Sequence, residues 1–230
     1  MDALFPRRCP VCGEIVEPAG NLICPGCIGK LKPVRQPTCR KCGKEVFGEH
    51  TEYCIDCSQH RRSFESGVAL FNYNEAARRS MAAVKYKNKR EYLDFYASAM
   101  AWRYQNVIRG WDADVLIPVP VHPSRRRKRG FNQAEEMAKR LSHRWHIPVE
   151  NGLLVRNRKT APQRDLNPQE RLKNLQEAFA VRSDRPVPSR VILVDDIYTT
   201  GSTIEACTRV LKAAGVKEVH FVAICIGNAR

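Results

Sequence analysis

The sequence predicts an α/β protein, a mostly parallel sheet flanked by helices, preceded by a small cysteine-rich domain. Three observations carry this. From about residue 113 onward, short apolar runs bounded by turn residues alternate with helix-period stretches, as in parallel strands joined by right-handed crossovers. Eight of the ten cysteines crowd into the first quarter of the chain as four Cys-x-x-Cys pairs. One stretch, VILVDDIYTTGST from Val191 to Thr203, sets an apolar run, an acidic pair and a hydroxyl-rich loop in series ahead of a helical pattern.

A chain of 230 residues has room for one sizeable core and an appendage. Its formal charge of +15 favours anionic partners, nucleic acid or phosphorylated metabolites, without choosing between them. The start, MDALFPRRCPVC, has no apolar signal region, and no run approaches the roughly 18 residues of a membrane span. The expectation is a cytoplasmic protein without membrane insertion.

The pairs are Cys9/Cys12, Cys24/Cys27, Cys39/Cys42 and Cys54/Cys57, with first members at an even step of 15 residues. The segment holding them has no long apolar period, so it needs a staple to fold. Disulfides do not suit a reducing compartment, and four redox motifs without a βαβ unit around them would be redundant. Two structural Zn2+ ions, each tetrahedral in four thiolates, account for all eight. Sequential pairing sets Cys9, Cys12, Cys24 and Cys27 on one ion and Cys39, Cys42, Cys54 and Cys57 on the other; alternate pairing would give a cross-brace. Gly13 and Gly43 follow a second cysteine, where a knuckle turn needs positive φ. Cys207 and Cys225 fall at apolar positions and read as inert core.

In chain order, residues 58–65 are polar and basic, a linker or domain edge. Gly67 to Tyr73 look like an edge strand. Glu75 to Tyr86 form a helix with Ala77, Met81 and Val84 on one side, running into the basic stretch Lys85–Arg90. Leu93, Tyr96, Ala97, Met100, Tyr104, Val107 and Ile108 keep the helical period, and the aromatics there read as core rather than as base-stacking platforms. Asp114 to Val121 make a buried strand broken at Pro118 and Pro120. It leads into a loop with five consecutive cations, Arg125 to Arg129, closed by Gly130. By position alone, that loop suits a nucleic-acid contact or a pyrophosphate equally. Asn132 reads as an N-cap with Glu135 as its box partner, before a helix with Ala134, Met137, Ala138, Leu141 and Trp145 on one face.

Leu153 to Arg156 suggest another strand. The polar segment from Asn157 to Asn167 carries Arg158 and Gln163, and Asn167-Pro168-Gln169-Glu170 is a helix start. A polar loop of that length in a compact domain reads as a cationic lid or as disorder. Phe179 to Val181 return as a strand, and Ser183 to Ser189 turn. Val191 to Val194 are then a short buried strand with Asp195 and Asp196 at its C-terminal end. Thr199, Thr200, Gly201, Ser202 and Thr203 form a loop opening a helix that Gly215 stops, and Val219 to Ile226 are the last strand. Ligands of open α/β sheets sit outside the carboxyl ends of strands, and loop amides at a helix N-terminus attract phosphate. The stretch offers two acceptors for sugar hydroxyls beside a nest for one phosphate, so it calls for a phosphorylated sugar.

VILVDDIYTTGST resembles the diphosphate-sugar signature of type I phosphoribosyltransferases along its whole length. The four Cys-x-x-Cys pairs, then His122-x-x-Arg125-x-x-x-Arg129-Gly-Phe-Asn-Gln133, then Arg156-x-Arg158-x-Thr160-x-x-Gln163, resemble the ComF (ComFC-like) competence family over nearly the entire chain. The resemblance implies a double zinc ribbon over residues 1–62 and a phosphoribosyltransferase-like domain over 63–230, with an acceptor-selecting hood at 64–112 and a flexible loop at 156–174. It implies a ligand, phosphoribosyl diphosphate (PRPP) with Mg2+. Asp195 and Asp196 would bind the ribose hydroxyls and Thr199 to Thr203 the 5′-phosphate. The stretch from Pro120 through His122 to Arg125 and Arg129 would take the pyrophosphate, and Arg158 and Gln163 would belong to the lid. It further implies a role in DNA uptake, with single-stranded DNA and competence-machinery proteins as partners. Some members of the superfamily carry a base carboxylate where this chain has Thr199, which argues against a hypoxanthine/guanine-type enzyme. A transferase and a non-catalytic PRPP sensor or DNA-binding adaptor both remain open. The ribbons carry Arg7, Arg8, Lys30, Lys32, Arg35, Arg40, Lys41 and Lys44, which serve a nucleic-acid contact or simply a solvated basic surface.

Overall fold

The computed structural model describes residues 6–48, 50–156 and 176–227. The expected positions Arg158 and Gln163, most of the 156–174 loop and the helix start at Asn167 lie outside them.

The strand expected at Val191–Val194 is longer. It runs as β6 over Arg190–Tyr198, with the acidic pair inside it rather than at its end. Alternation explains how it is held: Ile192 and Val194 enter one core and Val191 and Leu193 the other, all four fully buried. Its neighbours are parallel, β3 (Val115–Pro118) on one side and β7 (Glu218–Ile226) on the other. The β3 ladder stops at the Pro118–Val194 pair, while the β7 ladder continues to the Tyr198–Ile226 pair. Asp195 to Tyr198 therefore project beyond β3, whose ladder ends at Pro118.

On the far side of β7 lies β2 (Gly67–Asn72), parallel to it. This strand is not an edge, contrary to the sequence expectation, because β1 (Lys32–Pro33) of the cysteine-rich domain pairs antiparallel with it. The sheet order is β1-β2-β7-β6-β3. β4 (Leu154–Arg156) and β5 (Phe179–Val181) form the expected strand and its return, as a separate antiparallel pair.

Helices α3 (Glu75–Tyr86), α4 (Tyr92–Trp111) and α6 (Gln133–Trp145) cover one face of the sheet; α7 (Ser202–Ala213) covers the other. α4 buries Leu93, Tyr96, Ala97 and Met100 completely, and the Tyr96 hydroxyl finds Ser80 Oγ at 2.7 Å. Tyr96 and Tyr104 are core, as the period predicted, while Trp102 on the same helix is exposed. The five cations expected in a loop instead lie on a short helix, α5 (Pro123–Arg129), because Pro123 starts it and the His122 ring accepts from Ser124 N. Asn132 caps α6 by accepting from Ala134 N, but Glu135 does not close the expected box. Glu135 turns to Arg126 and Lys139 instead, where a carboxylate gains more than from a backbone amide already at a helix start.

The two ribbons divide between the two faces. Cys9, Val16, Ile23, Cys27 and Leu31 join the core under α3, α4 and α6. Val34, Cys39, Cys42, Val46 and Cys54 join the core under α7. The short helices α1 (Pro25–Ile28) and α2 (Ile55–Gln59) begin just after Cys24 and Cys54. Polar fasteners hold the ribbons down: Asp94 of α4 binds Arg7 at 2.9 Å and Arg140 of α6 at 2.7 Å, and Glu45 Oε1 accepts from Arg35 N and Asn72 Nδ2. In the segment expected as a linker or domain edge, residues 58–61 are exposed and Phe64 is fully buried.

Candidate functional site

The site is built where β6 outruns β3. Asp196 is buried and ion-paired through Oδ2 with Lys85 of α3. Its Oδ1 accepts from Gln133 Nε2 at 3.2 Å, and Gln133 Oε1 in turn accepts from Arg129 Nη1 at 3.0 Å. Arg129 also reaches the Tyr86 hydroxyl at 3.3 Å and lies over its ring at 5.2 Å. Asp195 turns its Oδ1 back to the Asp196 amide at 2.8 Å. Burial pushes the Asp195 carboxyl well above the usual carboxylate range, and the charge of Asp196 adds to it. Against the same burial, the Lys85 ammonium holds Asp196 below its ordinary value. The pair is thus asymmetric: Lys85 favours the charged form of Asp196, while burial and Asp196 disfavour that of Asp195.

The spacing of His122 through Gln133 becomes intelligible here. Gly130 takes the left-handed conformation that lets α5 turn into α6. Phe131 is buried beneath the Arg90 guanidinium, 4.3 Å from its ring centre. Asn132 Nδ2 donates to Val119 O at 3.0 Å, tying α6 to the end of β3, and this delivers Gln133 to Asp196. Arg125 lies close enough to Arg156 to oppose its charge; burial first, and Arg125 second, push the Arg156 guanidinium down, while Asp195 acts in the other direction. Lys85, Arg129 and Arg156 thus approach the acidic pair from three elements, α3, α5 and β4, with Arg125 of α5 beside Arg156.

After β6 the chain runs through Thr199 and Thr200, both exposed, to Gly201 at φ +76° and then into α7. A Cβ at Gly201 would stand 2.3 Å from the Tyr198 hydroxyl, so only glycine fits. The hydroxyls of Thr200 and Ser202 meet at 2.9 Å. Ser202 and Thr203 occupy the first turn of α7, where amide groups lack helical partners. The loop has the form of an anion nest.

The thiols of Cys9, Cys12, Cys24 and Cys27 lie within 4.8 Å of one another, as do those of Cys39, Cys42, Cys54 and Cys57. This is the sequential pairing; the cross-brace is excluded. Cys42 and Cys54 sulfurs are 3.6 Å apart, near the roughly 3.8 Å edge of a tetrahedron with zinc–sulfur bonds of about 2.3 Å. The donor sets fit zinc, and four thiolates leave no position open for substrate. Gly13 and Gly43 have the expected positive φ, and each donates its amide to the carbonyl of the first cysteine of its pair at 2.9 Å. Cys207 and Cys225 are buried and belong to neither cluster.

Lys85 was not singled out by the sequence. One signal for it existed: it continues the i, i+4 spacing of Ala77 and Met81, which places a cation on the buried stripe of α3. Arg156 was expected in a mobile lid rather than against Asp195. The hood expected at 64–112 is the segment that forms β2, α3 and α4 of the main sheet and its cover.

Residues 85–230 match the phosphoribosyl transferase domain family, and residues 1–58 match the double zinc ribbon domain. The chain belongs to the phosphoribosyl transferase domain family. It is 30% identical to Competence protein F of Haemophilus influenzae over 94% of this chain and 95% of that protein. It is 28% identical to Competence protein ComFC of Bacillus subtilis, with 87% and 83% covered, and 27% identical to the DNA utilization protein YhgH of Escherichia coli O157:H7, with 81% and 83% covered. Within the larger family the chain is therefore a member of the ComF/ComFC competence group, with a double zinc ribbon joined to a phosphoribosyl transferase domain. Among the described residues, no helix is long and apolar enough to cross a membrane.

Proposed function

We propose that this protein binds phosphoribosyl diphosphate with Mg2+ and serves DNA uptake, a reading supported by relatives named for competence and for DNA utilization. The observation that carries the reading is the hydrogen-bonded line from Arg129 through Gln133 to Asp196, on the strand that ends in the phosphate loop. It supports the reading by joining the cationic helix α5 to the acidic pair of β6, the strand that leads into the Thr199–Thr203 loop. Asp195 and Asp196 accept from the ribose hydroxyls, and Thr199 to Thr203 hold the 5′-phosphate. Arg125 and Arg129 hold the pyrophosphate, with Pro120 and His122 shaping the turn into α5. Mg2+ would be held mainly by ligand oxygens and water, and would supply neutralisation of the pyrophosphate charge.

In a transferase, the bond from C1 to the pyrophosphate oxygen breaks with its electron pair leaving on pyrophosphate. A nucleophile then adds at C1. The cations around the acidic pair stabilise the departing charge. Thr199 supplies no base carboxylate, so the acceptor must bring an acidic proton or an already anionic atom. The test is calorimetric titration with PRPP and Mg2+, followed by a panel of acceptors. Binding that is lost in the Asp195→Asn/Asp196→Asn double variant is expected; unchanged affinity in that variant overturns the assignment. Pyrophosphate release with an acceptor identifies a transferase, and binding without release across the panel identifies a sensor.

A second activity, single-stranded DNA binding by the second ribbon, is favoured by one feature. Phe47 is 88% exposed and Ile55 74% exposed, on the ribbon that also carries Lys41 and is followed by the exposed Arg61. Bases stack on such side chains while cations track phosphate. The expected result is binding whose salt slope shrinks by about one per lost phosphate contact in Arg61→Ala, with affinity falling in Phe47→Ala. An unchanged slope and affinity remove the ribbon from DNA contact.

A further inference from the structure

The segment leaving the second ribbon takes hold of the phosphate loop at three consecutive residues. Arg62 Nη2 donates to the Thr200 carbonyl at 2.9 Å. Ser63 donates to Glu205 twice, from its amide to Oε2 at 2.8 Å and from its hydroxyl to Oε1 at 2.7 Å. Glu205 is almost wholly buried in the first turn of α7 and also accepts from Arg209. Phe64, fully buried, stands edge-on to Tyr198 at 6.4 Å and to Phe221 at 5.1 Å, while those two rings stack at 4.7 Å. Tyr198 is the residue whose hydroxyl lies under Gly201.

The same residues are anchored from the other side by the second cysteine cluster. Cys39, Cys42 and Cys54 share one buried cluster with Phe64 and Tyr198, and Lys41 Nζ, between two of those cysteines in sequence, sits 5.6 Å from the Phe64 ring centre. The first cluster packs in the other core, beneath α3, α4 and α6. A trans peptide is planar, with its carbonyl and amide hydrogen pointing opposite ways. Fixing the Thr200 carbonyl on Arg62 therefore aims the Gly201 N–H away from Arg62, as an anion nest requires.

We propose that Arg62 is a positioning residue for the phosphate loop, and that the loop's order depends on the second zinc and not on the first. Only the ligand consequence rests on the PRPP reading; the coupling of ribbon to loop does not.

Amide hydrogen exchange over residues 199–204 tests this in the full chain, with zinc content and thermal unfolding measured alongside. Arg62→Ala should retain two zinc ions and unfold as the wild type does, yet exchange about tenfold faster at Gly201 to Thr203. Cys57→Ser, which removes the second zinc, should speed exchange over the same residues, and Cys12→Ser, which removes the first, should not. Exchange in Arg62→Ala equal to wild type, or equal loosening by the two cysteine variants, overturns the proposal. Should Cys57→Ser fail to fold, Arg62→Ala with its full zinc complement still decides. In the ligand arm, Arg62→Ala should lose about tenfold in PRPP affinity and Arg62→Lys should recover part of it. If the wild type does not bind PRPP, the ligand reading fails while the exchange measurement still judges the coupling.

Discussion

The Lys85 ammonium pairs with the Asp196 carboxylate, so a cation from the last turn of α3 occupies one of the two acceptors expected for ribose. Both partners are largely buried. Removing one partner of such a pair costs about 3–5 kcal/mol, because the other charge is left uncompensated. Lys85→Met should therefore destabilise strongly, while Lys85→Met/Asp196→Asn should recover a good part of the loss. Denaturant unfolding of the singles and the double checks this; additive losses would mean that the pair carries no coupling.

The acidic pair should respond unequally to neutralisation. Asp195 is raised by burial and by Asp196. A carboxyl whose folded pKa lies above its unfolded value of about 3.9 costs no stability below that value, and its cost grows as pH rises toward the folded pKa. Asp195→Asn should thus stabilise the protein at neutral pH and leave it unchanged near pH 3, whereas Asp196→Asn should destabilise by leaving Lys85 unpaired. Unfolding curves from pH 3 to 8 decide; stabilisation by both or by neither contradicts the asymmetry.

Gly201→Ala combines a left-handed backbone with a Cβ pressed against the Tyr198 hydroxyl. The backbone term alone is worth roughly 1–2 kcal/mol. Gly201→Ala should lower the unfolding free energy by at least that much, and adding Tyr198→Phe should recover part of the loss. A neutral Gly201→Ala would show that the loop differs from the one described.

Metal analysis should give two zinc ions per chain. Cys42→Ser should remove one and Cys207→Ser none, since Cys207 is buried away from both clusters. Strong chelation should unfold more than the ribbons, because their cysteines sit in the two cores of the sheet. Retention of the sheet's full circular dichroism after complete zinc loss would contradict this.

Much of this was legible in the chain. The strand at Val191–Val194 announces itself by four apolar residues, and the eight cysteines by their even spacing. Gly201 and Gly215 sit where a turn and a helix end need them. Other features depend on what tertiary neighbours supply. The sequence between Pro123 and Arg129 is a run of like charge that reads as a solvated loop; the His122 cap and the approach of Arg129 to Gln133 are invisible until α6 is in place. Gly67 to Tyr73 reads as an edge strand because nothing local in Lys32–Pro33 signals a partner. Glu135 abandons its capping role for cations that lie on a different helix and one turn ahead. Lys85 shows the same limit: its spacing marks a buried cation, but only the fold says that Asp196 receives it.

The pairing of β1 with β2 has a consequence for how the protein can be divided. Pro33 has no amide hydrogen to donate, so the sheet ends there rather than recruiting another strand. A chain cut ahead of β2 would bare that strand's hydrogen-bonding edge and strip apolar cover from both sides of the sheet at once. Such a fragment would self-associate before it could report on any ligand. The ribbons therefore complete the larger domain's sheet and both of its cores, so neither part can be exchanged for a foreign module without replacing the surfaces that face it.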